Sequence, residues 1–167
     1  GQLKQYATLR EYLQMDVDNI FLFFYEGSDL WDLNNEMNTT TLKNYLLDKN
    51  YTQNIKKIQK KIDLYKKENL KKSFSKKDYF KRYIRLNYLN GYFNRTLISV
   101  KHKNSKETYN QFKNVLNKIK ILAEEKNSTL HFIYLPSIYR FSVDNFDFKR
   151  FNKIKEIVDG QNIPFID

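Results

Sequence analysis

The stretch Asn19-Ile-Phe-Leu-Phe-Phe-Tyr25, followed at once by Glu26-Gly-Ser-Asp29, decides how the chain folds. Ile20 to Tyr25 is the longest apolar run in the sequence and shows no polar alternation. That pattern belongs to strands covered on both faces in a parallel sheet. It is far short of the ~20 apolar residues that cross a membrane as a helix. Glu26–Asp29 reads as a tight turn into a helix, with Ser28 or Asp29 as N-cap and Leu30, Trp31 and Leu33 on the inner side.

Upstream, residues 3–14 place Leu3, Tyr6, Ala7, Leu9, Tyr12 and Leu13 at helical spacing, and Asp16–Asp18 break the pattern. Downstream, Thr39 to about Val100 is polar, basic and helical in period. Leu42, Tyr45 and Leu46 suggest a short helix; Ile55, Ile58, Ile62 and Tyr65 a longer one; Tyr79, Tyr83, Leu86 and Leu89 a third that ends near Gly91. Dense in Lys, these runs are expected to form an insertion over 39–100 appended to a core. Core-like patterning resumes at Glu107, where Tyr109, Phe112, Val115, Leu116, Ile119, Leu122 and Ala123 mark an amphipathic helix. Lys126-Asn127-Ser128 stops it, and Thr129–Leu135 is a second strand. A helix over about 147–158 and a third strand, Ile163–Ile166, come next. Strands alternating with helices predict an α/β fold with a parallel sheet and right-handed crossovers. Ligands bind such sheets beyond the carboxyl ends of the strands. The chemistry is therefore expected at Glu26–Asp29, at Leu135–Arg140 and after Asp167.

The formal charge is +11, and residues 50–103 carry all of the excess, with 16 Lys/Arg against 3 Asp/Glu. The remainder is net −2. An anionic partner would explain this. So would composition alone, because Lys, Asn, Ile, Tyr and Phe dominate while alanine occurs only at Ala7 and Ala123. The absence of cysteine excludes disulfides and thiolate chemistry. No metal-ligand spacing and no Gly-rich phosphate loop is visible, so no cofactor is expected.

Four blocks in order carry a resemblance: Gly1-Gln-Leu-Lys-Gln-Tyr-Ala-Thr-Leu-Arg-Glu-Tyr12, Phe24-Tyr-Glu-Gly-Ser-Asp-Leu30, Tyr134-Leu-Pro-Ser-Ile-Tyr-Arg-Phe141 and Ile163-Pro-Phe-Ile-Asp167. Together they look like landmarks of the SGNH (GDSL-type) hydrolases, particularly bacterial members associated with surface polysaccharides. The resemblance implies a three-layer, flavodoxin-like sandwich, and an esterase acting on acylated saccharides. It implies that residues 1–167 are part of such a domain, cut short at both ends, with the complete protein outside the cytoplasm or at the membrane. Nucleic acid is not the partner it suggests, and no transmembrane segment lies in this stretch.

In that family a serine from a Gly-Asp-Ser motif attacks, an asparagine helps form the oxyanion hole, and an Asp-x-x-His supplies the base. Gly27 and Ser28 fall in the block similar to the asparagine's, with Ser28 at the asparagine's position. A hydroxyl offers one donor where an amide offers two, and losing one oxyanion donor typically costs ~10²–10³ in turnover. Glu26, Asp29, Tyr139 and Arg140 are the residues expected to contact substrate. Neither Gly-Asp-Ser nor Asp-x-x-His occurs in the sequence. His102 stands as Lys-His-Lys, His131 lies inside a strand, and Asp167 ends the third strand; none has the spacing of the base. Hydrolysis by this chain alone is therefore not expected. Simpler readings compete at each position: a capped turn for Glu26–Asp29, a loop serine for Ser137, a surface turn for Tyr139 and Arg140, a strand histidine for His131 and core for Trp31. The rival function is a non-catalytic module that binds an anionic polymer, nucleic acid or acidic polysaccharide, through its basic helices.

Overall fold

Three apolar runs separated by helices become three parallel strands. In the computed structural model, which describes residues 1–13, 17–73, 105–142 and 146–167, β1 (Asn19–Tyr25) pairs with β2 (Thr129–Leu135) in register, Asn19 opposite Thr129 and Tyr25 opposite Leu135. β2 pairs in turn with the short β3 (Phe165–Ile166), giving the order β1-β2-β3. The helices are α1 (Gln2–Tyr12), α2 (Asp29–Glu36), α3 (Thr40–Leu47), α4 (Ile55–Ser73), α5 (Lys106–Glu125), α6 (Tyr139–Ser142) and α7 (Lys149–Asp159). Two compact units divide the chain: Gly1–Gln53 with Asn104–Asp167, and Asn54–Lys103.

In the first unit α5 packs on β2 and against α1, α2 and α7. Its inner face repeats at helical spacing: Phe112, Val115, Leu116, Ile119 and Ala123 are all buried. Ser105 caps its start, Oγ accepting from the Thr108 N–H at 3.2 Å. At its end Asn127 takes φ 56°, and the Ser128 N–H returns to the Ala123 carbonyl at 2.9 Å. The Lys126–Ser128 stop thus has a left-handed residue as its cause.

Facing α5, the sheet contributes Ile20, Leu22, Phe24, Leu130, Phe132 and Tyr134, all buried. Their rings interlock: Phe24 meets Phe112 edge-on at 5.5 Å, Phe132 stacks on Phe165 at 5.7 Å, and Tyr134 meets Phe151 edge-on at 5.2 Å. The opposite face differs from the expectation of a strand covered on both sides. Phe21, Phe23 and Tyr25 are 42–52% exposed, so β1 is buried only at alternate positions. An apolar run satisfies a two-sided and a one-sided strand equally well, because periodicity records where polar residues are forbidden, not which apolar faces find a neighbour. Trp31 departs from its expected core position in the same way. Leu30 and Leu33 share the buried side of α2, while Trp31, a hundred degrees round the helix, is 40% exposed.

Residues 39–53 pack with this unit. Tyr45 of α3 is buried, and its hydroxyl donates to Glu11 Oε1 at 2.6 Å. Arg10 of α1 spreads its guanidinium under the chain that leaves α3, donating to the carbonyls of Tyr45, Asp48, Lys49 and Tyr51. Four carbonyls on one planar cation fix that exit. The second unit starts at Asn54. Within it α4 turns Lys56, Lys57, Lys60, Lys61, Lys66 and Lys67 outward. The helix read at Tyr79–Leu89 lies outside the described residues. Among those described, no helix is long and apolar enough to cross a membrane.

The two faces of β1 and β2 make a direct stability contrast. Phe132→Ala, which empties a fully buried site, should cost about 3–5 kcal/mol in urea unfolding. Phe23→Ala on the open face should cost under about 1 kcal/mol. Equal losses would show that the open face is covered in solution.

Candidate functional site

β1 and β2 end side by side, and the turns that leave them are tied to each other. The Glu26 N–H continues the ladder by donating to the Leu135 carbonyl at 2.9 Å. Strand alternation then turns the Glu26 side chain inward, where it is buried. There its Oε2 accepts from the Ser137 N–H at 3.0 Å, while its carbonyl accepts from Arg150 Nη1 of α7 at 2.7 Å. A residue expected to touch substrate is thus an internal tie joining the ends of β1 and β2 to α7. Tyr134, beside it, is also buried. Burial, then the neighbouring Glu26 carboxylate, pushes its phenol well above the usual range.

Asp29 serves the outer edge of β1. Its Oδ2 accepts from the Tyr25 N–H at 2.9 Å and from Gln2 Nε2 at 2.7 Å, with Gln2 itself fully buried. The Tyr25 N–H points away from β2, since that of Glu26 points toward it, so Asp29 satisfies a donor that strand pairing leaves over. Gln5 does the same one step back, its Nε2 donating to the Phe23 carbonyl at 2.8 Å. Burial raises the Asp29 carboxyl above its ordinary value, against the lowering effect of the Tyr25 N–H.

Ser28 occupies the N-cap position of α2 without capping it. Its hydroxyl donates to Asp32 Oδ2 at 3.2 Å, which commits the one proton that an oxyanion would need. Gly27 is exposed, and a Cβ there would come within 2.5 Å of the Tyr25 ring. Ser137 accepts from the Tyr139 N–H at 3.3 Å and shapes the turn into α6. Tyr139 is half exposed. Arg140 instead folds inward: Nη1 donates to Asp167 Oδ1 at 2.8 Å, and the guanidinium lies over the Phe151, Phe148 and Tyr134 rings at 4.5, 5.3 and 5.9 Å. The hydrogen bond with Asp167 holds its pKa above the ordinary arginine value.

The carboxyl edge therefore gathers Glu26, Tyr134, Ser137, Arg140, Arg150 and Asp167. Ser28 and Asp29 sit on the neighbouring turn, with Tyr139 outside. Tyr134 and Arg150 carry no sequence signal that marks them for this edge. Nothing in the local pattern separates a functional tyrosine from the other inward aromatics of β2, and Arg150 looks like one more cation in a basic helix. His131 bonds Asn19 Oδ1 at 2.9 Å and stacks on Phe21, away from this edge. His102 lies outside the described residues. Among the described residues no cluster of His, Asp and Glu could hold a metal ion. Compared with known protein families, characterised proteins and solved structures, the chain matches none.

The raised Asp29 value fixes the sign of a pH effect. An acid whose folded pKa exceeds its unfolded one binds its proton more tightly in the native state. Its stabilising contribution is therefore complete below the unfolded pKa, about 3.9, and is lost as pH rises through the folded value. The Tm of the native chain minus that of Asp29→Asn should accordingly shrink from about pH 3.5 to pH 7. A difference that grows over that range would contradict the assignment.

Proposed function

We propose that the chain is the frame of an SGNH-type ester hydrolase domain, a three-layer, flavodoxin-like sandwich whose substrates are acylated saccharides. The observation that carries this reading is the meeting of the post-β1 and post-β2 turns at the carboxyl edge of a parallel sheet, through Glu26 and Ser137 at 3.0 Å. The four sequence blocks support it, since three of them reach or end at that edge. The open aromatic face of β1 supports the third layer, being suited to a covering helix. The attacking serine and the base of that family are not among these 167 residues. What the chain contributes is a binding edge on which Arg140 is paired with Asp167 and Arg150 is held by the Glu26 carbonyl, suited to a neutral, hydroxyl-rich substrate.

Two measurements test the proposal. Titration with an acetylated oligosaccharide should shift the backbone NMR signals of residues 26–29 and 137–140, and signals that stay fixed there would remove the substrate assignment. Activated acetyl esters should show no hydrolysis above background. A hydroxyl nucleophile needs a base in reach, and the Ser28 hydroxyl is engaged by the Asp32 carboxylate. Turnover abolished by Ser28→Ala would make that serine a working nucleophile and overturn the reading.

A second reading rests on the exposed Lys56, Lys57, Lys60, Lys61, Lys66 and Lys67 of α4: binding of an anionic polymer through that helix. Phosphate-backbone binding would weaken steeply with salt, roughly one decade of affinity per decade of salt for each phosphate neutralised. A salt-independent interaction would exclude it.

A further inference from the structure

In the second unit α4 presents apolar and cationic side chains to water together. Ile58, Ile62 and Tyr65 recur at four- and three-residue spacing, which puts them on one side of the helix. They are 48%, 37% and 69% exposed. Successive residues turn by about a hundred degrees, so Lys61 and Lys66 lie just beyond the two borders of that side, with Lys56, Lys57, Lys60 and Lys67 farther round. All six lysines are exposed. Among the described residues none of them makes an ion pair, although Lys49, Lys153 and Lys155 of the first unit each do. Only Asp63 and Glu68 oppose them between Ile55 and Leu70, and Asp63 accepts from Gln59 Nε2 at 2.7 Å. Charge alone does not choose the partner. A phosphate backbone or an acidic polysaccharide would engage the lysines and leave the two isoleucines in water, since neither has a ring on which a base could stack. A groove on an acidic protein would take the apolar side, but its rigid rim would have to match each bordering lysine. The lysines point in many directions and form no single row, which suits a fluid layer of anionic headgroups.

We propose that α4 binds the surface of an anionic lipid bilayer, lying in the headgroup plane with Ile58, Ile62 and Tyr65 at the acyl boundary. Lys61 and Lys66 then run their stems along the apolar border and place their ammonium groups among the lipid phosphates. The lysines farther round add attraction without insertion. Such a helix lies on a membrane and does not cross it, in keeping with the absence of a long enough apolar helix among the described residues. Neither signal suffices alone: three side chains insert little apolar area, and charge without insertion does not tell a bilayer from a polymer. The proposal stands on α4 and is independent of the ester-hydrolase reading. It competes with the polymer reading for the same lysines, so the experiment separates those two.

The test is co-sedimentation of the full chain with vesicles of phosphatidylcholine, alone and mixed with phosphatidylglycerol. Binding is expected to the mixed vesicles and not to phosphatidylcholine alone. Lys61→Gln with Lys66→Gln should lower the partition coefficient about 25-fold, or about fivefold for each lysine near the surface. Ile58→Gln with Tyr65→Gln keeps every charge and should lower it about tenfold through lost apolar burial. The native chain should also raise the surface pressure of a phosphatidylglycerol monolayer. That rise reports insertion, which adsorption by charge alone does not produce, and it needs no variant to fold. No binding to the mixed vesicles would overturn the proposal, as would equal binding to phosphatidylcholine alone, which would place the contact on another surface. A flat monolayer pressure, with vesicle binding untouched by the apolar pair of substitutions, would overturn it in favour of an anionic polymer.

Discussion

The structure turns on the inner face of two parallel strands. Phe24 and Phe132 project from β1 and β2 onto Phe112 of α5, Tyr134 stacks on Phe24, and Phe151 and Phe165 close the cluster from α7 and β3. Aromatic residues bury large areas with only two side-chain torsions each, so a few of them fix both the strand register and the height of α5. A one-residue slip of β1 would exchange Leu22 and Phe24 for Phe21 and Phe23 on the covered side. Because those residues are nearly as apolar, hydrophobicity alone would resist such a slip weakly.

The polar side chains at the strand ends supply the discrimination that hydrophobicity lacks. Asp29 and Gln5 bind backbone groups of Tyr25 and Phe23 on the outer edge of β1, and Glu26 binds the Ser137 N–H on the side of β2. The Glu26–Ser137 bond joins the two strand ends, so a one-residue slip of β1 against β2 would break it and leave the buried Glu26 carboxylate without that donor. The Glu26–Asp29 turn thus serves the fold before it serves any chemistry. Of its residues only Gly27 and Ser28 remain in contact with the surface, and the Ser28 hydroxyl is engaged by Asp32.

Charge separates the two units of the chain. The sheet-bearing unit balances its ions locally, with Arg140 on Asp167, Lys155 on Asp159 and Lys153 on Glu156. The excess of Lys/Arg lies in residues 50–103, of which α4 shows a lysine-rich surface open to water. Exposed pairs of this kind contribute little to stability, so the basic helix is better understood as a solvated or ligand-seeking surface than as a source of cohesion.

Legibility in the sequence depended on the range of each interaction. Strand positions, the α5 face and its stop at Asn127 were readable because each depends on neighbours within one or two turns of chain, and the parallel sense followed from strands alternating with helices. The candidate site was half legible. Its place at the carboxyl ends came from topology, but the roles of Glu26 and Arg140 did not, because both contacts span distant segments: Glu26 with Ser137, and Arg140 with Asp167. The same holds for Arg10, whose four carbonyl partners lie at the end of α3 and beyond it. By itself the sequence determined which residues avoid water and at what period, which is a property of local chain geometry. Only the tertiary structure decided which apolar faces found a neighbour and which buried polar groups found a partner. Those outcomes depend on segments brought together from 27 to 111 residues apart, and no local pattern records them.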